Sequence, residues 1–210
     1  MNSPFEELTK LQINKLFDLL GAHFYTFNKN QEILPTIKNN NIIGIIMDGS
    51  AEIINIEYNG NEILIEELAK DSIFGTNISG TNNENYQIIA KQDTLVAIID
   101  YDKLINPNNL KHNFFNIFFR NLFEIINTKS KEKNERIRVL EKKQIREKLL
   151  EYFNIKHKKS FSNYFYLPFS FKDLADYLAV NRSAMFRELK HLKEEGFIKI
   201  HNRKITLLYK

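Results

Sequence analysis

FKDLADYLAVNRSAMFRELK, residues 171–190, is the stretch that decides the architecture of the C-terminal third. Leu174, Ala175 and Leu178 share the inner face of a short helix. Ser170-Phe-Lys-Asp173 opens that helix with a capping-box-like pattern in which Asp replaces the usual Glu. Ala179-Val180 is a turn. Asn181 is a natural N-cap for a second helix, Arg182 to Glu195, and Gly196 stops it. Two helices crossing this closely need a small residue at the crossing, and Ala175 supplies it. Leu174, Leu178, Val180, Met185 and Leu189 form the shared core. This is helix-turn-helix spacing. The outward face of the second helix carries Arg182, Ser183, Phe186, Arg187 and Lys190.

Such a second helix enters the DNA major groove by its N-terminal end. Arg182 and Arg187 can each donate two hydrogen bonds to guanine O6 and N7, and Ser183 can donate or accept with less discrimination. These three are the expected base readers. Ser170, Asn181 and Lys190 are expected on phosphates, aided by the helix N-terminus. Beyond Gly196, Phe197–His201 and Lys204–Leu208 alternate apolar and polar across Asn202-Arg203, which gives a two-stranded wing. Arg203 and Lys204 on that wing are further phosphate contacts. The competing reading of the same pair is a helical hairpin used for protein contacts.

Charge divides the chain in the same place. Residues 1–110 hold seven Lys and no Arg against fifteen acidic residues, a net of −8, while residues 111–210 carry +12. Only the second half has the charge to meet a polyanion. There is no cysteine, which excludes disulfides, thiolate zinc sites and Cys-ligated iron–sulfur clusters. The histidines at 23, 112, 157, 191 and 201 show no ligand spacing, so no metal is expected. No run approaches the roughly 20 apolar residues of a membrane span. Met1 to Lys10 is acidic and polar, unlike a signal peptide, so the expected location is cytoplasmic and no membrane partner is expected.

Working back toward the N-terminus, the patterns change twice. Residues 5–20 read as an amphipathic helix. From 24 to 100 come short β-rich runs, among them Ile42–Met47, Ala51–Glu57, Glu62–Leu68, Tyr86–Lys91 and Thr94–Ile99. Asp48-Gly49 and Asn59-Gly60 are tight-hairpin signals between them. Many short strands argue a sandwich or jelly roll. Neither Pro nor Gly occurs between Asn108 and Leu167, so one long helix can run through 111–143, a span of roughly 45 Å. Its first half is apolar on nearly every face, including Phe115, Phe118, Leu122, Ile125 and Ile126, so it must be covered on more than one side. One side can pack on the barrel and these residues on a second copy. A homodimer seam is therefore expected, with a single-chain core helix as the alternative. The expected fold class is α+β. A β-roll domain (a double-stranded β-helix or jelly roll) spans 1–110, a dimerisation helix 111–143 and a winged helix-turn-helix 144–210.

This order of parts resembles the Crp/Fnr family of bacterial transcription regulators over essentially the whole chain. The residues that carry the likeness are Ile43-Gly-Ile-Ile-Met-Asp-Gly-Ser-Ala-Glu-Ile53, Tyr58-Asn-Gly-Asn61, Asp71-Ser-Ile-Phe-Gly75 and, above all, Leu174 to Leu189. The resemblance implies a homodimer that reads an inverted-repeat operator and contacts RNA polymerase. It also implies a β-roll signal that shifts the long helix and the DNA-reading pair.

The departures are specific. Cyclic-nucleotide-binding members follow Phe-Gly with Glu and later place Arg-Ser or Arg-Thr. Here Gly75 is followed by Thr76, and Glu84-Asn85 stand where Arg-Ser would be. A carboxylate repels a phosphate, and no Arg precedes Arg120, so tight cyclic-AMP binding is not expected. The oxygen-sensing branch needs the cysteines this chain lacks. A haem branch would have His23, His112, Met1 or Met47 to draw on, residues whose ordinary role is packing or surface, so no cofactor is expected. The family's Glu after the first recognition Arg is Ser183, which implies a different operator from that of the cyclic-AMP receptor. Ala179 replaces the turn Gly, at a cost of about 1 kcal/mol if φ is positive there. The Asn-Arg-Ser-Ala-Met sequence resembles a subgroup seen in Firmicutes.

Two other classes compete. A small-molecule sensor would have the β-roll as its main activity, with a non-nucleotide ligand. A cupin-like enzyme would need clustered His and Glu on the strands, and no strand run from 42 to 99 contains a His, so no enzyme activity is expected.

Overall fold

A computed structural model describes residues 3–33, 41–58, 60–75, 86–160 and 162–209. Thr76, Glu84 and Asn85 of the effector cassette lie outside the described residues. The chain divides into two compact units, Met1–Asn127 and Thr128–Lys210.

The first unit opens with helix α1 (Lys10–Leu20). It begins later than the apolar spacing suggests because Thr9 and Gln12 form a capping box. Phe5, upstream of that cap, is still buried. Seven strands follow: β1 (His23–Phe27), β2 (Ile42–Asp48), β3 (Ala51–Ile56), β4 (Glu62–Leu68), β5 (Ile73–Gly75), β6 (Tyr86–Ala90) and β7 (Thr94–Asp100). They make two antiparallel sheets, ordered β1-β7-β2-β5 and β4-β3-β6. All five expected strand runs are present. Edge strand β1 and the three-residue β5 were not expected. Four of the five β1 residues are exposed, so it lacks the alternation that marks a half-buried strand.

Asp48-Gly49 is a corner rather than the expected hairpin, since β2 lies in the four-stranded sheet and β3 in the other. Thr94 ties the corner to the second crossing between sheets. Its hydroxyl accepts from Ser50 N–H at 3.2 Å and lies 2.9 Å from the Ser50 carbonyl and 2.8 Å from that of Gln92. A Cβ on Gly49 would sit 2.4 Å from the Asp93 carbonyl oxygen, so only glycine fits. Asn59 lies outside the described residues, but the strands on either side of the Asn59-Gly60 signal, β3 and β4, form a true antiparallel pair.

The run Ile42–Ile46 is apolar throughout because both faces of β2 are buried. Ile42 and Ile46 pack between the sheets with Ile53, Phe74, Ile88 and Val96. Ile43 and Ile45 pack the other way, with Leu16 and Leu20 of α1 and Phe118 and Leu122 downstream. A short helix α2 (Tyr101–Leu104) and a 3-10 turn, Pro107–Lys111, lead into α3 (Asn113–Leu140).

The expected seam residues need correction here. Phe115, Phe118, Leu122 and Ile125 are buried inside their own unit, and Ile126 packs against the same core half-buried. They follow i, i+3, i+7, i+10 spacing and form the stripe that covers the sheet. The large apolar side chains left exposed on α3 are Phe119, Phe123, Ile137 and Leu140.

The second unit contains α4 (Ile145–Ser160), β8 (Tyr164–Tyr166), α5 (Phe171–Tyr177), α6 (Arg182–Glu194), β9 (Ile198–His201) and β10 (Lys204–Leu207). The wing has three strands, ordered β8-β10-β9, where two were expected. Strand β8 comes from an aromatic stretch before the helix pair and pairs Phe165 with Ile205. Leu149, Phe153, Leu174, Leu178, Met185, Leu192 and Ile205 are fully buried in one core, which anchors the helix pair and the wing together.

Candidate nucleic-acid interface

Local bonding fixes the helix pair. The capping box at Ser170 is complete: its hydroxyl donates to Asp173 Oδ2 at 2.7 Å and accepts from Asp173 N–H at 3.3 Å, and its own N–H donates to the same carboxylate at 3.1 Å. Those hydrogen bonds hold the Asp173 carboxyl below the usual carboxylate range. Helix α5 ends in a Schellman motif, with Ala179 N–H donating to the Asp176 carbonyl at 3.1 Å and Val180 N–H to that of Ala175 at 3.0 Å. The motif demands a left-handed residue at position 179, and Ala179 takes it with φ of 50°. Ala175 is buried, as the crossing requires. Lys148 of α4 donates to the Leu178 carbonyl at 3.0 Å, a contact between elements 30 residues apart that no local pattern announces.

Helix α6 starts where Asn181 Oδ1 accepts from Ala184 N–H at 3.1 Å. It ends in a second Schellman motif, with Gly196 in the position that Ala179 holds in the first. Arg146 fixes its orientation from α4. Its guanidinium bonds Glu188 at 3.2 Å, pairs with Glu195 and lies 4.9 Å from the Phe197 ring. The Glu195 carboxyl is held below its usual range chiefly by the Arg146 hydrogen bond.

The outward face matches the expected set. Arg182, Ser183, Phe186, Arg187 and Lys190 are exposed, while Met185 and Leu189 are buried. Arg187 makes no ion pair among the described residues. The Arg182 guanidinium stands 5.8 Å from the Phe186 ring centroid. Lys190 is only loosely paired with Glu194, at 3.7 Å. Asn181 is exposed but its carbonyl oxygen serves the cap. Ser170 is the exception among the phosphate candidates. A phosphate needs a donor, and both Ser170 donors are committed to Asp173. On the wing, Arg203 is exposed in the turn, and Lys204 Nζ lies 3.8 Å from the Tyr164 ring centroid. The Tyr164 contact depends on β8, so no sequence pattern pointed to it.

At the other site, Gly75 ends β5 opposite Ile43. A Cβ there would lie 2.3 Å from the Ile42 carbonyl oxygen, so the glycine has a packing role. Among the described residues no three His, Asp or Glu side chains gather as a metal site. None of the described helices is long and apolar enough to cross a membrane.

These features define a winged helix-turn-helix carried behind a β-roll. Residues 133–209 match the family model of the Crp-like helix-turn-helix domain. Solved structures agree with the fold. CprK complexed with OCPA is 16% identical with a TM-score of 0.59, covering 93% of this chain and 91% of its own. A mutant of CooA from Carboxydothermus hydrogenoformans is 17% identical with a TM-score of 0.54, covering 96% and 87%. No curated protein matches the sequence. Residues 133–209 thus belong to a Crp-like helix-turn-helix domain, and the chain as a whole shares its fold with these solved structures.

Proposed function

We propose that this chain is a transcription regulator that binds an inverted-repeat operator as a homodimer. Arg182, Ser183 and Arg187 read bases, and Asn181, Lys190, Arg203 and Lys204 hold phosphates. The observation that carries this reading is the outward face of α6: two exposed Arg flanking Phe186 on a capped helix whose opposite face is buried. A helical hairpin made for protein contacts has no use for exposed guanidinium groups at base-reading positions. No catalytic step belongs to this reading.

The test is selection of duplexes from a random pool by the full chain. An inverted repeat with half-sites one helical turn apart is the expected product. Arg187→Ala should weaken binding to the selected duplex by about 5- to 150-fold per half-site, the worth of one bidentate guanine contact. Unchanged affinity with the dimer intact would remove Arg187 from the base readers. Failure to enrich any duplex would overturn the regulator reading itself.

In the β-roll we propose no tight cyclic-AMP site, on the sequence Thr76, Glu84 and Asn85 in place of the family's Glu and Arg-Ser. Calorimetry showing micromolar or tighter binding would refute this. The second reading, a sensor with a non-nucleotide ligand in the β-roll, would be supported by a ligand that copurifies with the chain; CprK, whose fold this chain shares, was solved with OCPA bound. Contact with RNA polymerase follows from the family resemblance.

A further inference from the structure

We propose that Phe186 reads the 5-methyl group of a thymine in each half-site, which makes it a specificity residue alongside the two Arg. The inference rests on the DNA-binding reading above and names one of the bases it would require. At 3.6 residues per turn, Arg182, Phe186, Lys190, Ser183 and Arg187 fall in that angular order on an arc of about 140°. Phe186 therefore sits inside the cationic face, between Arg182 and Lys190, rather than at its edge. It is 42% exposed, so much of its apolar surface meets water in the free chain.

The ring is held in place on two sides. The Phe171 ring of α5 packs against it at 5.7 Å between centroids, tilted by 47°. The Arg182 guanidinium stands 5.8 Å from its centroid. Little rotamer freedom is left to lose on docking. A polyanion surrounds this face with phosphates and base edges, and the apolar group exposed in the major groove is the thymine methyl. An apolar side chain set within a cationic base-reading face matches that group. A purely structural Phe186 would bridge α5 and α6 and have no preference among bases.

The experiment uses the full chain and the duplex it selects from a random pool, with each thymine replaced in turn by deoxyuridine, which lacks only the methyl. For one thymine per half-site the loss of the methyl should weaken binding about four-fold, the worth of burying one methyl-sized group. That sensitivity should vanish in Phe186→Ala and persist in Phe186→Leu. Equal weakening of Phe186→Ala on thymine and deoxyuridine duplexes, with the wild type indifferent to the substitution, would overturn the proposal and leave Phe186 a packing residue. Wild-type sensitivity that survives in Phe186→Ala would assign the methyl to another side chain and also overturn it. If no duplex binds at all, this proposal and the regulator reading fall together.

Discussion

At the scale of single residues, the turn between α5 and α6 shows how a local rule is broken and what that costs. Position 179 is the left-handed residue of a Schellman motif, and Ala179 sits there with φ of 50°. A Cβ in this region costs roughly 1–2 kcal/mol, of which glycine's extra unfolded-state entropy would take back about 0.5–1. Ala179→Gly is therefore expected to stabilise the second unit by about 0.5–1 kcal/mol in urea unfolding. A loss of stability would mean that the motif is not strained. The substituted turn Gly was visible in the sequence, but the sign of φ was not, because φ depends on which carbonyls accept the Ala179 and Val180 N–H groups. The same holds for Ser170. Its place three residues before Asp173 announced a cap, yet only the bonding shows that no donor remains for a phosphate.

At the scale of elements, the helix pair was legible because its rules are local. Leu174, Leu178, Met185 and Leu189 recur at helical spacing and all are buried. The strands were legible where they alternate or where a run such as Ile42–Ile46 is apolar on both faces. β1 and β8 escaped because their pairing partners, β7 and β10, lie about 70 and 40 residues away in sequence. The corner at Gly49 carries the same dipeptide signal as a hairpin, and only the sheet assignment separates the two. The caps of α5 and α6 make a pH prediction. Asp173 and Glu195 both have carboxyls held below the usual range, by Ser170 and by Arg146 respectively. A depressed carboxyl adds stability that is present in full above the usual carboxylate range and is lost as pH falls through its own value. The second unit should lose stability on acidification through that window. Asp173→Asn should flatten part of the slope in thermal unfolding followed from neutral to acid pH. An unchanged slope would show that the capping box adds no pH dependence.

At the scale of the whole molecule, the long helix α3 reverses a sequence expectation. Nearly continuous apolar character through Phe114–Ile126 demanded burial on more than one side, but could not say which residues face which cover. The fold gives Phe115, Phe118, Leu122 and Ile125 to the sheet and α1, and leaves Phe119 and Phe123 exposed by 39% and 59%. The dimer seam we propose therefore runs along Phe119 and Phe123. Phe123→Asp should yield a folded monomer in analytical ultracentrifugation and lose operator affinity. Phe118→Asp should unfold the first unit, because it buries a charge in a closed core. A dimeric Phe123→Asp chain would place the seam elsewhere.

The sequence alone determined the order of parts, the helix-turn-helix and its outward Arg182, Ser183 and Arg187, and the split between an acidic first half and a basic second half. Each of these follows from residue type and short-range spacing. Tertiary structure decided which face of α3 is already covered, that the wing has a third strand holding Lys204 against Tyr164, and that the Phe171 ring of α5 packs on Phe186 of α6. These are contacts between segments distant in the chain, and no periodicity within either segment encodes them.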